Sequence, residues 1–226
     1  DFTCGELVRV REALGARTGV AIDDAALSAG IRAANEIRAV LADLRECVFT
    51  APAAALPALE MLAAEMLAIH FCSDRGESEI VLRELVEEVG RRTTAGRGVL
   101  PETAPRVYWV NPVADLRAMN LLEDCGLRLG GTDFMFPHAI APLAEDLPPF
   151  TALALAALAD PMAGPAARRA EHVAREARTL RCAAVIVSRI PGASHCAFEA
   201  AAFREIVARD SGLPTLEIGV PPLTDA

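Results

Sequence analysis

The feature that most constrains the fold is a strand–turn–helix–strand pattern near the C-terminus. An apolar run over residues 183–187 is followed by a turn with Pro191 and Gly192, a helical pattern over residues 196–209, and a second apolar run over residues 215–218. Two short buried strands joined through a helix are typical of a parallel pair, because parallel strands need a long crossover connection. The pattern therefore predicts a βαβ unit.

The same alternation of strands and helices extends back to residue 107, with the second strand ending before Gly130 and Gly131. Alternation of this kind implies a parallel sheet with helices on both faces. We therefore predict an α/β fold of the Rossmann or flavodoxin type. The further predicted strands cover residues 107–110 and 127–129, and the further predicted helices cover residues 115–125, 150–158 and 165–180.

The first half of the chain has a helical pattern instead. Apolar residues recur every three or four positions over residues 6–17, 25–45, 59–71 and 78–92, as expected for amphipathic helices. Residues 93–105 contain two glycines and two prolines without periodicity, which is typical of a boundary. We predict a helical segment at residues 1–98 and an α/β domain at residues 99–226.

Charge and hydropathy exclude two classes of partner. All 22 basic residues are arginine, and with 31 acidic residues the net charge is −9, which argues against a nucleic-acid-binding surface. The pairs at residues 91–92 and 168–169 are interpreted as solvated arginines near helix ends. No charge-free run reaches the roughly 18 residues of a membrane span. We expect neither nucleic acid nor membrane as a partner.

The cysteines and the N-terminal residues indicate the cellular compartment in which the protein is expected. No signal or transit peptide is recognisable, and the six cysteines contain no C-x-x-C pair, so we expect reduced thiols in the cytoplasm. The cysteines at positions 47, 72, 125 and 182 are expected to pack as small apolar side chains. Because the chain begins at Asp1 without a methionine, we interpret it as a piece of a longer polypeptide or a processed one.

The predicted topology points to one edge of the sheet. In open α/β sheets, ligands bind at the carboxyl ends of the strands, which here correspond to residues 111–115, 130–134, 188–196 and 217–222. Asn111, Ser188 and His138 lie at or near this edge and are candidates for polar contacts to a substrate. The signatures of nucleotide-binding loops, serine hydrolases and zinc proteases are absent.

Cys196 lies where the predicted loop becomes a helix, and its role has three interpretations. A helix N-terminus lowers the pKa of a thiol, so Cys196 could be an activated nucleophile, but the adjacent His195 would point elsewhere on a helix. It could be an iron–sulfur ligand, with further thiolates from other segments. It could also have no chemical role. The residue pattern alone leaves the three open.

Four segments in order resemble the family of 2-hydroxyacyl-CoA dehydratase and benzoyl-CoA reductase subunits. They are the stretch LGARTGVAIDDAAL from Leu14, the stretch AANEIR from Ala33, the helix end LLEDCG from Leu121, and the final block from Ala184 through Cys196 to Ile218. The resemblance rests on the order and spacing of these segments together.

This resemblance implies an iron–sulfur subunit that acts on an acyl-CoA thioester, with Cys196 as one ligand of a [4Fe-4S] or related cluster. It implies a homologous second subunit in a heterodimer, and an ATP-dependent iron–sulfur activator protein that supplies one low-potential electron. The reaction would be the dehydration of a 2-hydroxyacyl-CoA, by a lyase, or the reduction of an aromatic ring, by an oxidoreductase.

The chain departs from the family pattern in three places. No counterpart of the family's N-terminal α/β domain precedes Asp1, so we expect residues outside this chain to complete the cluster. Gly219-Val220-Pro221-Pro222-Leu223 replaces an acidic run, and His195 precedes the cysteine. Two alternatives therefore stay open: a cluster-free structural or partner-binding subunit of the same fold, and a cysteine-dependent α/β enzyme.

Overall fold

The computed structural model describes residues 1–69, 74–134, 137–193 and 199–221, without the side chains of residues 137 and 138. In these ranges the chain forms nine helices and four strands. The helices are α1 (Phe2–Thr18), α2 (Asp24–Thr50), α3 (Ala58–Ile69), α4 (Arg75–Thr94), α5 (Arg117–Asp124), α6 (Pro137–Ile140), α7 (Pro149–Ala159), α8 (Ala166–Thr179) and α9 (Ala200–Ser211). The strands are β1 (Arg106–Val110), β2 (Arg128–Asp133), β3 (Ala184–Arg189) and β4 (Thr215–Gly219).

The four strands form one parallel sheet in the order β2-β1-β3-β4. The register pairs Val107 with Ala184 in β3 and places Val185 opposite Thr215 in β4. One face of the sheet is covered by α8 and α9, whose Val173 and Phe203 pack in a cluster with β1 and β3. The other face is covered by α2, α3, α4 and α5. The predicted α/β fold with helices on both faces is confirmed.

The N-terminal helices share a core with the sheet. Leu41 and Leu44 of α2, Met61 of α3 and Leu82 of α4 belong to the same buried cluster as Trp109 of β1. This shared core follows from the apolar stripe that each of the three helices carries at helical spacing. The division into a segment 1–98 and a domain 99–226 stays a prediction.

Helix α1 has a different environment. None of its residues is buried, and its partner is α7, where the Cys4 thiol lies 3.5 Å from the Phe150 carbonyl oxygen and the Arg11 guanidinium stacks over the Phe150 ring. None of the helices in the described ranges combines the length and the apolar character that crossing a membrane requires.

Strand β2 is longer than the sequence pattern indicates. We predicted that it ends before Gly130, but it runs through both glycines to Asp133. Glycine is needed there for space, since a Cβ on Gly131 would lie 2.5 Å from the Tyr108 ring and a Cβ on Gly130 would lie 2.7 Å from the Cβ of Arg106. The glycines mark a close approach of β2 to its neighbours and not the end of the strand.

Gly131→Ala should therefore lower the free energy of unfolding by about 2 kcal/mol, because the added methyl group must displace the Tyr108 ring and Leu180. Gly30→Ala is the matched control, because its Cβ in α2 meets nothing within 4 Å, and it should raise stability by up to about 1 kcal/mol. Urea unfolding of both variants followed by circular dichroism checks the prediction, and equal stabilities would contradict it.

Candidate active site

The strand order creates a crevice at the carboxyl edge of the sheet. The connections that leave β1 and β3 run to opposite sides, which is the topological switch point where α/β sheets of this order bind ligands. Asn111 follows β1, and Ser188 is the penultimate residue of β3, so two of the predicted site residues meet there. Both are completely buried.

Asn111 and Ser188 hold the two strand ends together. The Asn111 side-chain amide donates to the Ser188 carbonyl oxygen at 2.9 Å, and the Ser188 hydroxyl donates to the Pro112 carbonyl oxygen at 3.1 Å. Asn111 has a φ of 76°, a left-handed conformation that asparagine tolerates better than most residues. Its Oδ1 is buried without a partner among the described residues. The structure thus places an unused acceptor between the strand ends, and contact with a substrate stays a prediction.

The structure does not describe the side chains of the other two predicted site residues. Cys196 lies outside the described residues, and the side chain of His138 in α6 does too. The chain that contains Cys196 leaves the switch point at Arg189 and returns at Glu199. Helix α9 begins at Ala200, and the predicted start of a helix at Cys196 lies outside the described residues. Glu199, the residue before the helix, is fixed by a side-chain ion pair.

That ion pair belongs to a buried arginine. Arg169 of α8 is 1% exposed, so the interpretation of residues 168–169 as a solvated pair is wrong for Arg169. Its Nε lies 2.9 Å from Asp133 Oδ2, its Nη1 lies 2.7 Å from Glu199 Oε2, and its guanidinium stacks over the Phe203 ring. Two carboxylates offset the cost of burying this charge. Arg169 therefore links the end of β2 to the residue that precedes α9.

A cavity of about 290 Å³ lies beside the last residues of β2. Glu65 of α3, 1% exposed, forms an ion pair with Arg45 of α2 and accepts a hydrogen bond from the Thr132 hydroxyl at 2.8 Å. Tyr108 donates to the Thr132 carbonyl oxygen at 3.0 Å. The cavity is lined by Ala42, Arg45, Glu65, Tyr108, Thr132, Asp133, Phe134, Ile140, Ala141, His172 and Glu176.

Burial changes the acidity of two groups in this cavity. Desolvation raises the pKa of Glu65, and the Arg45 charge only partly opposes that effect. Burial, with the nearby Asp133 carboxylate, raises the pKa of the Tyr108 phenol well above its usual value, so the phenol stays protonated. A carboxyl whose pKa is shifted toward neutrality can donate or accept a proton, which makes Glu65 a candidate acid–base group.

Sequence analysis did not identify Glu65, Arg45 or Arg169. A signal existed for Glu65, since it interrupts the otherwise apolar inner face of α3. Arg169 follows Arg168 in a helix rich in arginine, and no pattern separates the buried one from the exposed one.

The described cysteines do not form a metal site. Cys182 is buried as predicted, and burial raises the pKa of its thiol to about 12. Cys125 is exposed, so its predicted burial is wrong, because the last turn of α5 faces solvent. Cys72 lies outside the described residues, and within them no three His, Cys, Asp or Glu side chains are grouped to hold a metal ion. The described part of the chain does not supply a complete set of cluster ligands.

Comparison with known proteins gives one match. A family model described as the 2-hydroxyglutaryl-CoA dehydratase D-component matches residues 1–221. The match includes the helical segment, the whole parallel sheet and the connection that contains Cys196. No protein with a curated description matches the chain.

Proposed function

Since the chain belongs to the 2-hydroxyglutaryl-CoA dehydratase D-component family, we propose that it is an iron–sulfur subunit, or part of one, that acts on an acyl-CoA thioester. We propose Cys196 as one ligand of a [4Fe-4S] or related cluster. The remaining ligands would come from residues outside this chain. When bound, such a cluster would pass one low-potential electron to the acyl-CoA.

One observation supports this role for Cys196 more than any other. The connection that contains it begins at the switch point, beside the buried pair of Asn111 and Ser188, and ends at Glu199, which the buried Arg169 holds. A ligand at the carboxyl edge of a parallel sheet would lie next to this connection.

The polar groups at the edge have different proposed tasks. The free Oδ1 of Asn111 would accept a hydrogen bond from the substrate, while the Ser188 hydroxyl keeps the loop after β1 in place. His138 remains a proposed contact to a polar substrate group. Glu65 would exchange a proton with a group in its cavity.

We propose that the subunit works in the cytoplasm with a homologous second subunit and with an ATP-dependent iron–sulfur activator protein. The name of the family, a component of a dehydratase, supports an assembly of several polypeptides. It also favours the dehydration of a 2-hydroxyacyl-CoA over the reduction of an aromatic ring.

Cys196→Ala should remove most of the iron from protein purified without oxygen after co-production with a second subunit of the family. Loss of one thiolate removes one of the protein ligands that hold such a cluster. Iron and acid-labile sulfide are measured together with the visible absorption spectrum. Cys125→Ala is the matched control, since that thiol is exposed and lies between α5 and the start of β2, at the amino edge of the sheet opposite the crevice.

Unchanged iron content in Cys196→Ala would contradict the assignment of this residue. Iron-free wild-type assembly would contradict the iron–sulfur function and favour a structural subunit. An iron-free protein whose Cys196 thiol reacts with alkylating agents near neutral pH would instead favour a cysteine-dependent enzyme.

A further inference from the structure

A second cavity, of about 390 Å³, lies at the amino edge of the sheet, opposite the crevice. Arg106, the first residue of β1, and Arg181, just before β3, both line it, and Arg128 at the start of β2 lies close behind. The remaining lining residues are Phe49, Thr50, Pro52, Glu102, Thr179 and Leu180. More of its surface is polar than apolar, in contrast to the cavity beside Glu65.

The three arginines form no ion pair with an acid in the described part of the chain. Arg106 donates to the Ala51 carbonyl oxygen at 2.8 Å, and Arg128 donates to the same oxygen at 2.9 Å. Arg128 is 1% exposed, and its Nε has no partner among the described residues. Burial, and then the Arg106 charge, lowers the pKa of Arg128 to about 10.

Positive charge is in excess at this edge. The arginines bring three positive charges, and Glu102 brings one negative charge to the lining. The ends of α2 and α8, whose carbonyl groups accept hydrogen bonds from Arg106, contribute about half a negative charge each. About one positive charge therefore remains uncompensated, in a chain whose net charge is −9.

Arg181 adds an independent observation. It follows the last residues of α8 and has a φ of 54°. This is the left-handed conformation with which helices commonly end. In the described residues α1, α4, α5 and α9 also end in this conformation, and there the residue is glycine, at positions 19, 96, 126 and 212. A side chain in this conformation costs free energy that glycine does not. Capping of helix carbonyls accounts for the side chains of Arg106 and Arg128, but within the described residues the side chain of Arg181 makes no such contact.

We propose that this cavity binds a phosphate-type oxyanion through the guanidinium groups of Arg106 and Arg181. Arginine presents several donors in a plane and matches the oxygens of a phosphate, so two arginines suffice for a charge-assisted site. The phosphate would be a free ion or part of a larger ligand such as a nucleoside diphosphate. The site lies at the edge of the sheet opposite the crevice and does not depend on the proposed function.

Arg181→Gly tests the proposal without endangering the fold, because glycine suits the left-handed conformation. The wild-type protein should show a higher melting temperature in sodium phosphate than in sodium chloride of the same ionic strength. By titration calorimetry with inorganic phosphate, the apparent Kd of Arg181→Gly should be about tenfold higher than that of the wild type, as expected for the loss of a charge-assisted contact. In chloride, the melting temperature of Arg181→Gly should equal or exceed that of the wild type.

Arg204→Ala is the control, since it removes one positive charge from an exposed position on α9 that forms no ion pair with the described residues. Its phosphate Kd should match that of the wild type. A nucleoside diphosphate that binds at least as tightly as inorganic phosphate, and loses affinity in Arg181→Gly, would identify the larger ligand. If only inorganic phosphate loses affinity, the ligand is the free ion. Equal melting temperatures of the wild type in the two salts, or equal Kd values for wild type and Arg181→Gly, would overturn the proposal.

Discussion

Arg169→Ala is expected to lower the free energy of unfolding by about 3–5 kcal/mol, the usual cost of removing one partner from a buried ion pair. The side chain of Asp133 is only 2% exposed and would lose the guanidinium that it contacts at 2.9 Å. Glu199, at the start of α9, would lose the same partner. Urea unfolding followed by circular dichroism measures the difference.

The neighbouring arginine provides the control. Arg168 is exposed and donates to carbonyl oxygens at the end of α7, so Arg168→Ala should cost less than about 1 kcal/mol. Hydrogen exchange adds a local measurement. The Phe203 amide, which donates to the Glu199 carbonyl oxygen at 3.0 Å, should lose protection in Arg169→Ala and keep it in Arg168→Ala. Similar stabilities of the two variants would show that Arg169 is not the link between β2 and α9.

Arg45→Met is expected to cost about 3 kcal/mol at pH 7, because it leaves the Glu65 carboxylate buried without its counter-ion. The cost should shrink as the pH falls. The pKa of Glu65 is already raised in the folded protein by burial, so its contribution to stability is largest below the unfolded value of about 4.5 and is lost as the pH rises through the folded pKa. Removing Arg45 takes away the strongest effect that lowers the pKa of Glu65, so the folded pKa rises further. The pH range in which a protonated Glu65 stabilises the fold then extends upward.

Two variants isolate the effect. Arg45→Met with Glu65→Gln should have a stability that no longer changes with pH through this group, since glutamine does not titrate. Arg32→Met, on the exposed face of the same helix α2, should leave the pH profile unchanged. Chemical unfolding of all variants at pH values from about 4.5 to 7.5 supplies the profiles. If the stability lost in Arg45→Met did not depend on pH, Arg45 would not be the counter-ion of a Glu65 carboxyl whose pKa is raised.

Much of the fold could be predicted from the sequence because its strands and helices have different periodicities. The apolar runs of β1, β3 and β4 and the stripe of α2 were recognised within a few residues. Strand β2 is longer than predicted because two glycines in a sequence are typical of a turn, whereas in the fold Gly130 makes room for Arg106 and Gly131 for Tyr108. The four-residue α6 was too short for any periodicity.

Topology predicts only that the strand ends lie together. Asn111 and Ser188 meet because parallel strands end at one edge, and their contact with a substrate stays a prediction. Glu65 and Arg45 come from different helices and reach β2 only through tertiary packing, as does Arg169. Contacts between distant segments leave no spacing in the sequence, so such a network is visible only in three dimensions.

The pairing of β1 with β3 also sets an order of assembly. Val107 meets Ala184 only after the intervening helices and β2 have been spanned. Bringing such distant strands together costs loop-closure entropy before any contact stabilises them, so parallel pairings of this kind form slowly. The crevice between these strand ends cannot exist before they pair. We therefore expect it to be among the last parts of the molecule to form, and a ligand that enters it to meet a chain that has already folded.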